Sequence, residues 1–107
     1  MTGLLVTIQQ LLSKDEVIVS QHAKVELTND LINIDELIAG IQSAVVIEEY
    51  PDYAKGPCVL VLERDTSGNP VHALWGIRKG TASPAALVTA YRPDPSQWTQ
   101  DFLKRRP

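Results

Sequence analysis

Two apolar runs separated by a single polar turn, between Cys58 and Arg78, constrain the fold more than any other feature of the chain. Cys58 to Arg64 is apolar almost without interruption. Asp65-Thr66-Ser67-Gly68-Asn69-Pro70 follows as a cluster of turn formers, and Val71 to Arg78 is apolar again. Runs this short, rich in β-branched residues and joined by so brief a connection, pair as an antiparallel hairpin. On either side the pattern repeats. Ala44 to Tyr50 is β-rich and is separated from Cys58 by the loop Pro51 to Pro57, and Ala85 to Arg92 follows the turn Gly80 to Pro84. Short loops between successive strands give antiparallel neighbours, so the second half reads as an antiparallel sheet of three to four strands.

The first half has helical spacing instead. Leu4, Leu5, Ile8, Leu11 and Leu12 form an apolar stripe over residues 3–13. Val17 to Val19 adds a little extended structure. Ser20 is placed to cap a helix over Gln21 to Thr28 with Ala23 and Leu27 inward, and Asn33 with Glu36 has the spacing of a capping box ahead of Leu37, Ile38 and Ile41. At the other end, Asp94 and Pro95 predict the cap and first residue of a closing helix, with Trp98 and Phe102 docking it on the body. The expectation is one α+β domain over 1–107: N-terminal helices on the sheet, and a C-terminal helix. A chain that is 44% hydrophobic and 21% charged can bury such a core.

Charge is unevenly spread. Nine of the 13 acidic residues precede Ala54 and eight of the 10 basic ones follow Tyr53, leaving the first part at −7 and the second at +4. An acidic total is a poor basis for general nucleic-acid binding, but Lys55, Arg78, Lys79, Arg92 and the tail Lys104 to Arg106 supply the residues for a local cationic surface. The apolar runs are too short to span a bilayer, and Met1 to Ser13 has neither the basic start nor the cleavage site of a secretory leader. With a lone cysteine, Cys58, the expected setting is a reducing cytoplasm.

The residues that can carry chemistry are few. His22 stands in the first turn of the second helix beside Lys24, where a neutral imidazole can take a proton and the ammonium can meet a phosphate. A capped surface histidine is the plainer alternative. His72 shares a strand face with Leu74, Gly76 and Arg78, as catalyst or as a satisfied buried polar group. Thr89 and Tyr91 alternate onto one face of the last strand with Leu87, which sets two hydroxyls side by side, with Arg92 at the exit. The turn Gly80 to Ser83 after Arg78 and Lys79 can offer N–H groups to an anion. No His-Glu-x-x-His, Cys-x-x-Cys or calcium-loop pattern occurs, and these residues ask for no metal and no cofactor.

The ordered series His22-Ala23-Lys24, Tyr50-Pro51-Asp52-Tyr53, Gly56 to Leu62, Asn69-Pro70-Val71-His72, and Val88 to Asp94 followed by Trp98 resembles one bacterial family, domain of unknown function 4258, from about Ser20 to Phe102. Residues 1–19 stand ahead of that region as a helix and extension. By looser analogy the family is similar to small ribonuclease toxins of the RelE and barnase-like fold, which pack N-terminal helices on an antiparallel sheet and are found beside antitoxin-like partners. The resemblance implies a metal-independent RNA-acting protein. His22, His72, Thr89 and Tyr91 would be catalytic, and Lys24, Arg78, Lys79 and Arg92 would bind phosphate. Glu26 and Asp30 stand where the family usually has arginines; carboxylates there repel a phosphodiester and point to an activity weakened or lost. The alternative is a non-catalytic protein-binding module, with the first helix as a face for a partner or a second copy. A small-molecule pocket lined by Trp75 and Tyr91 is a third reading.

Overall fold

The computed structural model describes residues 3–107 and contains three α-helices and a five-stranded mixed sheet. α1, Gly3–Ser13, buries Leu5, Ile8, Leu11 and Leu12. It stops where Asp15 adopts a left-handed backbone (φ 58°) and Glu16 N–H reaches back to the Leu11 carbonyl at 3.0 Å. α2, Gln21–Asn29, starts at Ser20, whose Oγ accepts from Ala23 N–H at 3.0 Å and donates to the Val88 carbonyl at 3.0 Å. One residue therefore caps a helix and staples it to a strand.

α3, Ile34–Gly40, is capped by Asn33, which accepts from the N–H groups of Asp35 and Glu36. The other half of the expected capping box is absent. Glu36 instead accepts from Thr66 N–H at 2.7 Å and Thr66 Oγ1 at 2.9 Å, so it ties the helix to the hairpin turn. A 3₁₀ turn at Ile41–Ser43 follows.

The strands are β1, Val17–Val19; β2, Val45–Tyr50; β3, Cys58–Arg64; β4, Pro70–Ile77; and β5, Ala85–Tyr91, in the order β1-β5-β4-β3-β2. The expected antiparallel strands are all present, from β2 through β5. The sheet is larger than expected because β1 joins the far edge in parallel, Val17 opposite Ala85 and Val19 opposite Leu87. A three-residue strand whose partner lies far along the chain leaves no local turn signal.

The core lies between the helices and one sheet face, where Val59 and Val61 of β3, Ala73 and Trp75 of β4, and Leu87 and Ala90 of β5 are fully buried. α1 gives its apolar stripe to this core and leaves Val6 exposed. Among the described residues no helix is long and apolar enough to cross a membrane.

Two further expectations are corrected. Leu74 pairs with Thr89 but Trp75 pairs with Leu87, so Val88 is an extra, bulged residue in β5. The bulge shifts the alternation: Leu87 enters the core, while Thr89 and Tyr91 lie on the opposite face with their partners Leu74 and His72. The C-terminal helix is also absent. Asp94 Oδ1 accepts from Ser96 N–H and Oγ at 2.8 Å, and Thr99 Oγ1 donates to Asp101 Oδ1 at 2.6 Å. Short polar side chains here satisfy their neighbours in turns, which competes with helix formation. Residues 93–107 fold back as an irregular tail closed by a bridge between Trp98 and Arg105.

Candidate functional site

The sheet face away from the helices carries the most distinctive polar group in the molecule. His72 sits there with no solvent exposure, flanked in register by Tyr91 on β5 and Leu62 on β3. Its Nε2 is 2.8 Å from the Phe102 carbonyl oxygen and its Nδ1 is 3.2 Å from the Tyr91 hydroxyl. A carbonyl can only accept, so Nε2 carries the proton, Nδ1 bears the lone pair, and Tyr91 O–H donates to it. Burial holds the His72 pKa below its ordinary value. The Phe102 carbonyl works against that shift, and the nearby Arg105 charge adds to it. The imidazole is therefore neutral at pH 7, with its Nδ1 lone pair held by the Tyr91 O–H. Burial raises the Tyr91 pKa, which keeps its hydroxyl a donor.

The groups around this pair come from the tail and the edge strand. The Trp98 ring meets the His72 ring edge-on at 4.4 Å and 88°. The Arg105 guanidinium lies 4.9 Å from the Trp98 ring centroid and 3.6 Å from Glu48 Oε1, which also accepts from Tyr50 O–H at 2.9 Å. Burial and then the Glu48 contact raise the Tyr50 pKa, with Arg105 opposing. Glu48, Tyr50, Trp98 and Arg105 were not among the expected site residues. One sequence signal for them existed: Glu48 and Tyr50 are two apart on a strand and so share a face. Arg105 was legible only as one of the basic tail residues that could join a cationic surface, not as a partner of Trp98 and Glu48.

Of the expected catalytic residues, His72 and Tyr91 touch, and Thr89 lies on the same face opposite Leu74. His22 does not join them. It is an exposed residue of α2, the helix that sends Ala23 and Leu27 into the core on the other side of the sheet, and its Nε2 is 4.0 Å from Glu26 Oε1.

The expected phosphate ligands are scattered as well. Lys24 is exposed on α2. Arg78 and Lys79 follow the far end of β4, six residues beyond His72, about 20 Å along a strand. Arg92 is engaged in the structure: its Nη1 is 2.9 Å from Asp65 Oδ2, off-axis for a hydrogen bond, while Nη2 donates to the Leu31 carbonyl at 3.2 Å. Asp30 faces the same clamp, its Oδ2 accepting from Arg92 N–H at 2.9 Å. The carboxylate expected to repel a phosphodiester is thus a structural partner of the strand end. Trp75 and Tyr91 lie on opposite faces and line no common pocket. Among the described residues no three His, Cys, Asp or Glu side chains are grouped to hold a metal ion.

The family model described as "Domain of unknown function (DUF4258)" matches residues 19–92. Neither the curated proteins nor the solved structures contain a match to the chain. The matched stretch runs from the end of β1 through β5 and includes His72, Thr89 and Tyr91, whereas Trp98 and Phe102, which contact His72, and Arg105 lie beyond it.

Proposed function

The chain belongs to the DUF4258 family, and from that premise we propose that the sheet face bearing His72, Thr89 and Tyr91 is its working surface, acting on RNA in the manner of a small toxin-like ribonuclease. The observation that carries this reading is the His72–Tyr91 pair. A neutral imidazole whose Nδ1 lone pair is engaged at 3.2 Å by a hydroxyl donor stands on a face whose cover, Trp98 and Phe102, comes from beyond the family region.

In this reading bound RNA draws the Tyr91 O–H from Nδ1 of His72 to a phosphoryl oxygen, and the 2′-oxygen of a ribose bonds to the adjacent phosphorus as its proton passes to the vacated Nδ1. The P–O5′ bond breaks, the 5′-oxygen leaves as a hydroxyl by taking a proton from water, and the resulting hydroxide takes the proton back from the imidazole. The Tyr91 and Thr89 hydroxyls hydrogen-bond the phosphoryl oxygens. Arg92 is paired to Asp65, Arg78 and Lys79 are distant, and Arg64, which shares the Leu62 face of β3, donates from Nη1 to the Gly68 carbonyl, so the developing charge meets little free positive charge. Cleavage is correspondingly slow.

The test is incubation of bulk RNA in EDTA with the full-length protein, with Arg105→Ala, and with His72→Gln. The expected result is slow cleavage that His72→Gln reduces about a hundredfold. Absence of cleavage in all three, or equal cleavage in all three, overturns the reading.

The second reading, a non-catalytic module that docks a partner such as an antitoxin-like protein or a second copy, draws on bare apolar side chains outside this face. Leu31 is 85% exposed and Val25 49% exposed. Self-association that Leu31→Glu abolishes, followed by light scattering, supports the second copy; a strict monomer counts against it.

A further inference from the structure

We infer that residues 93–107 are a strap that opens as a unit while the sheet stays folded, and that in its closed form it masks the His72–Tyr91 pair. Only the identity of what binds the uncovered face rests on the RNA reading.

The strap is bonded mainly to itself. Gln97 N–H donates to the Asp94 carbonyl, Thr99 N–H to Lys104, Phe102 N–H to Thr99, and Arg106 N–H to Gln97, all at 2.8–2.9 Å. Its ties to the rest of the chain are few: the hydrogen bond from His72 to the Phe102 carbonyl, the Trp98 ring against His72, and Arg105 with Glu48 and Tyr50. Strands β3, β4 and β5, by contrast, are laced together along their lengths. The strap leaves the sheet through Pro93-Asp94-Pro95, where two residues lack a backbone donor.

Closure depends on Trp98, which is 6% exposed between His72 and the Arg105 guanidinium. The anchor is also strained: Phe102, whose carbonyl meets His72, has φ 61°, a left-handed backbone that disfavours a bulky aromatic residue. Arg105 therefore acts as a latch. It holds the indole by its face and reaches Glu48 on the edge strand, and both partners of that ion pair are largely exposed and easily released.

The test uses full-length protein and Arg105→Ala, a surface substitution that leaves the core untouched. Chymotrypsin cleavage after Trp98 reads opening of the strap, and amide exchange at Ala73 and Val61 reads opening of the sheet. The expected result is cleavage about tenfold faster in the variant, with core exchange unchanged and one of the two tryptophans becoming quenchable by acrylamide. Unchanged cleavage overturns the inference, and so does a rise in cleavage matched by the same rise in core exchange, because opening would then be global unfolding. If the strap opens locally and RNA cleavage does not increase, the strap stands and the RNA reading fails.

Discussion

Replacing Glu63 with glutamine removes a charge from one of the driest positions in the molecule. Glu63 is 2% exposed, on the core face of β3; Trp75 Nε1–H donates to its Oε2 at 3.0 Å, and its Oε1 has no partner. Burial raises its pKa from 4.5 to about 7, with the Trp75 bond pulling the other way. A group whose pKa is higher in the folded state stabilises the fold fully below its unfolded pKa and loses that contribution as pH rises through the folded pKa. The contribution of Glu63 to wild-type stability should therefore fall by about 3 kcal/mol between pH 4.5 and pH 8, from 1.36 kcal/mol per pKa unit over this shift.

Glutamine has no such slope. Its amide would carry donors into the place of the unpartnered Oε1, near Gly40, at a pH-independent cost of about 1–3 kcal/mol. The diagnostic quantity is thus the change with pH of the stability difference between Glu63→Gln and wild type, measured by urea unfolding at several pH values. The burial of His72 destabilises both proteins alike in acid and cancels. A difference that grows by about 3 kcal/mol in favour of glutamine toward pH 8 fits the account; a difference flat in pH refutes it.

Gly56→Ala should destabilise by about 3 kcal/mol or more in the same unfolding assay, because at φ 131° an added Cβ would clash with the Ile77 carbonyl oxygen. Leu31→Gly should stabilise by about 0.5–1 kcal/mol: the side chain is bare and φ is 54°, so relief of the left-handed backbone outweighs the entropy glycine adds to the unfolded chain. Ser20→Ala should cost about 1 kcal/mol or more, since it removes both the α2 cap and the bond to Val88; a neutral result would mean that neither bond contributes.

The strands β3 and β4 were legible because continuous apolar character and a polar turn leave one way to pair. α1 and α2 were legible from their stripes and from Ser20. What escaped depends on distant partners. Val17 to Val19 becomes a strand only because β5 passes beside it. The Val88 bulge, invisible in a run of apolar residues, decides which face Thr89 and Tyr91 occupy. The tail failed as a helix because Asp94, Ser96, Thr99 and Asp101 satisfy backbone and hydroxyl donors locally. His72 and Tyr91 were legible as candidates by type. That Arg92 is held by Asp65 and the Leu31 carbonyl was not, because no local pattern distinguishes a clamping arginine from one left free for phosphate.

The working surface is tested most directly by titrating the Arg105→Ala protein with a short single-stranded RNA and mapping backbone amide shifts by NMR. The account predicts changes centred on His72, Leu74, Thr89 and Tyr91, saturating with RNA. Shifts confined to His22 and α2, or to Arg78 and Lys79, or no shifts at all, would contradict it.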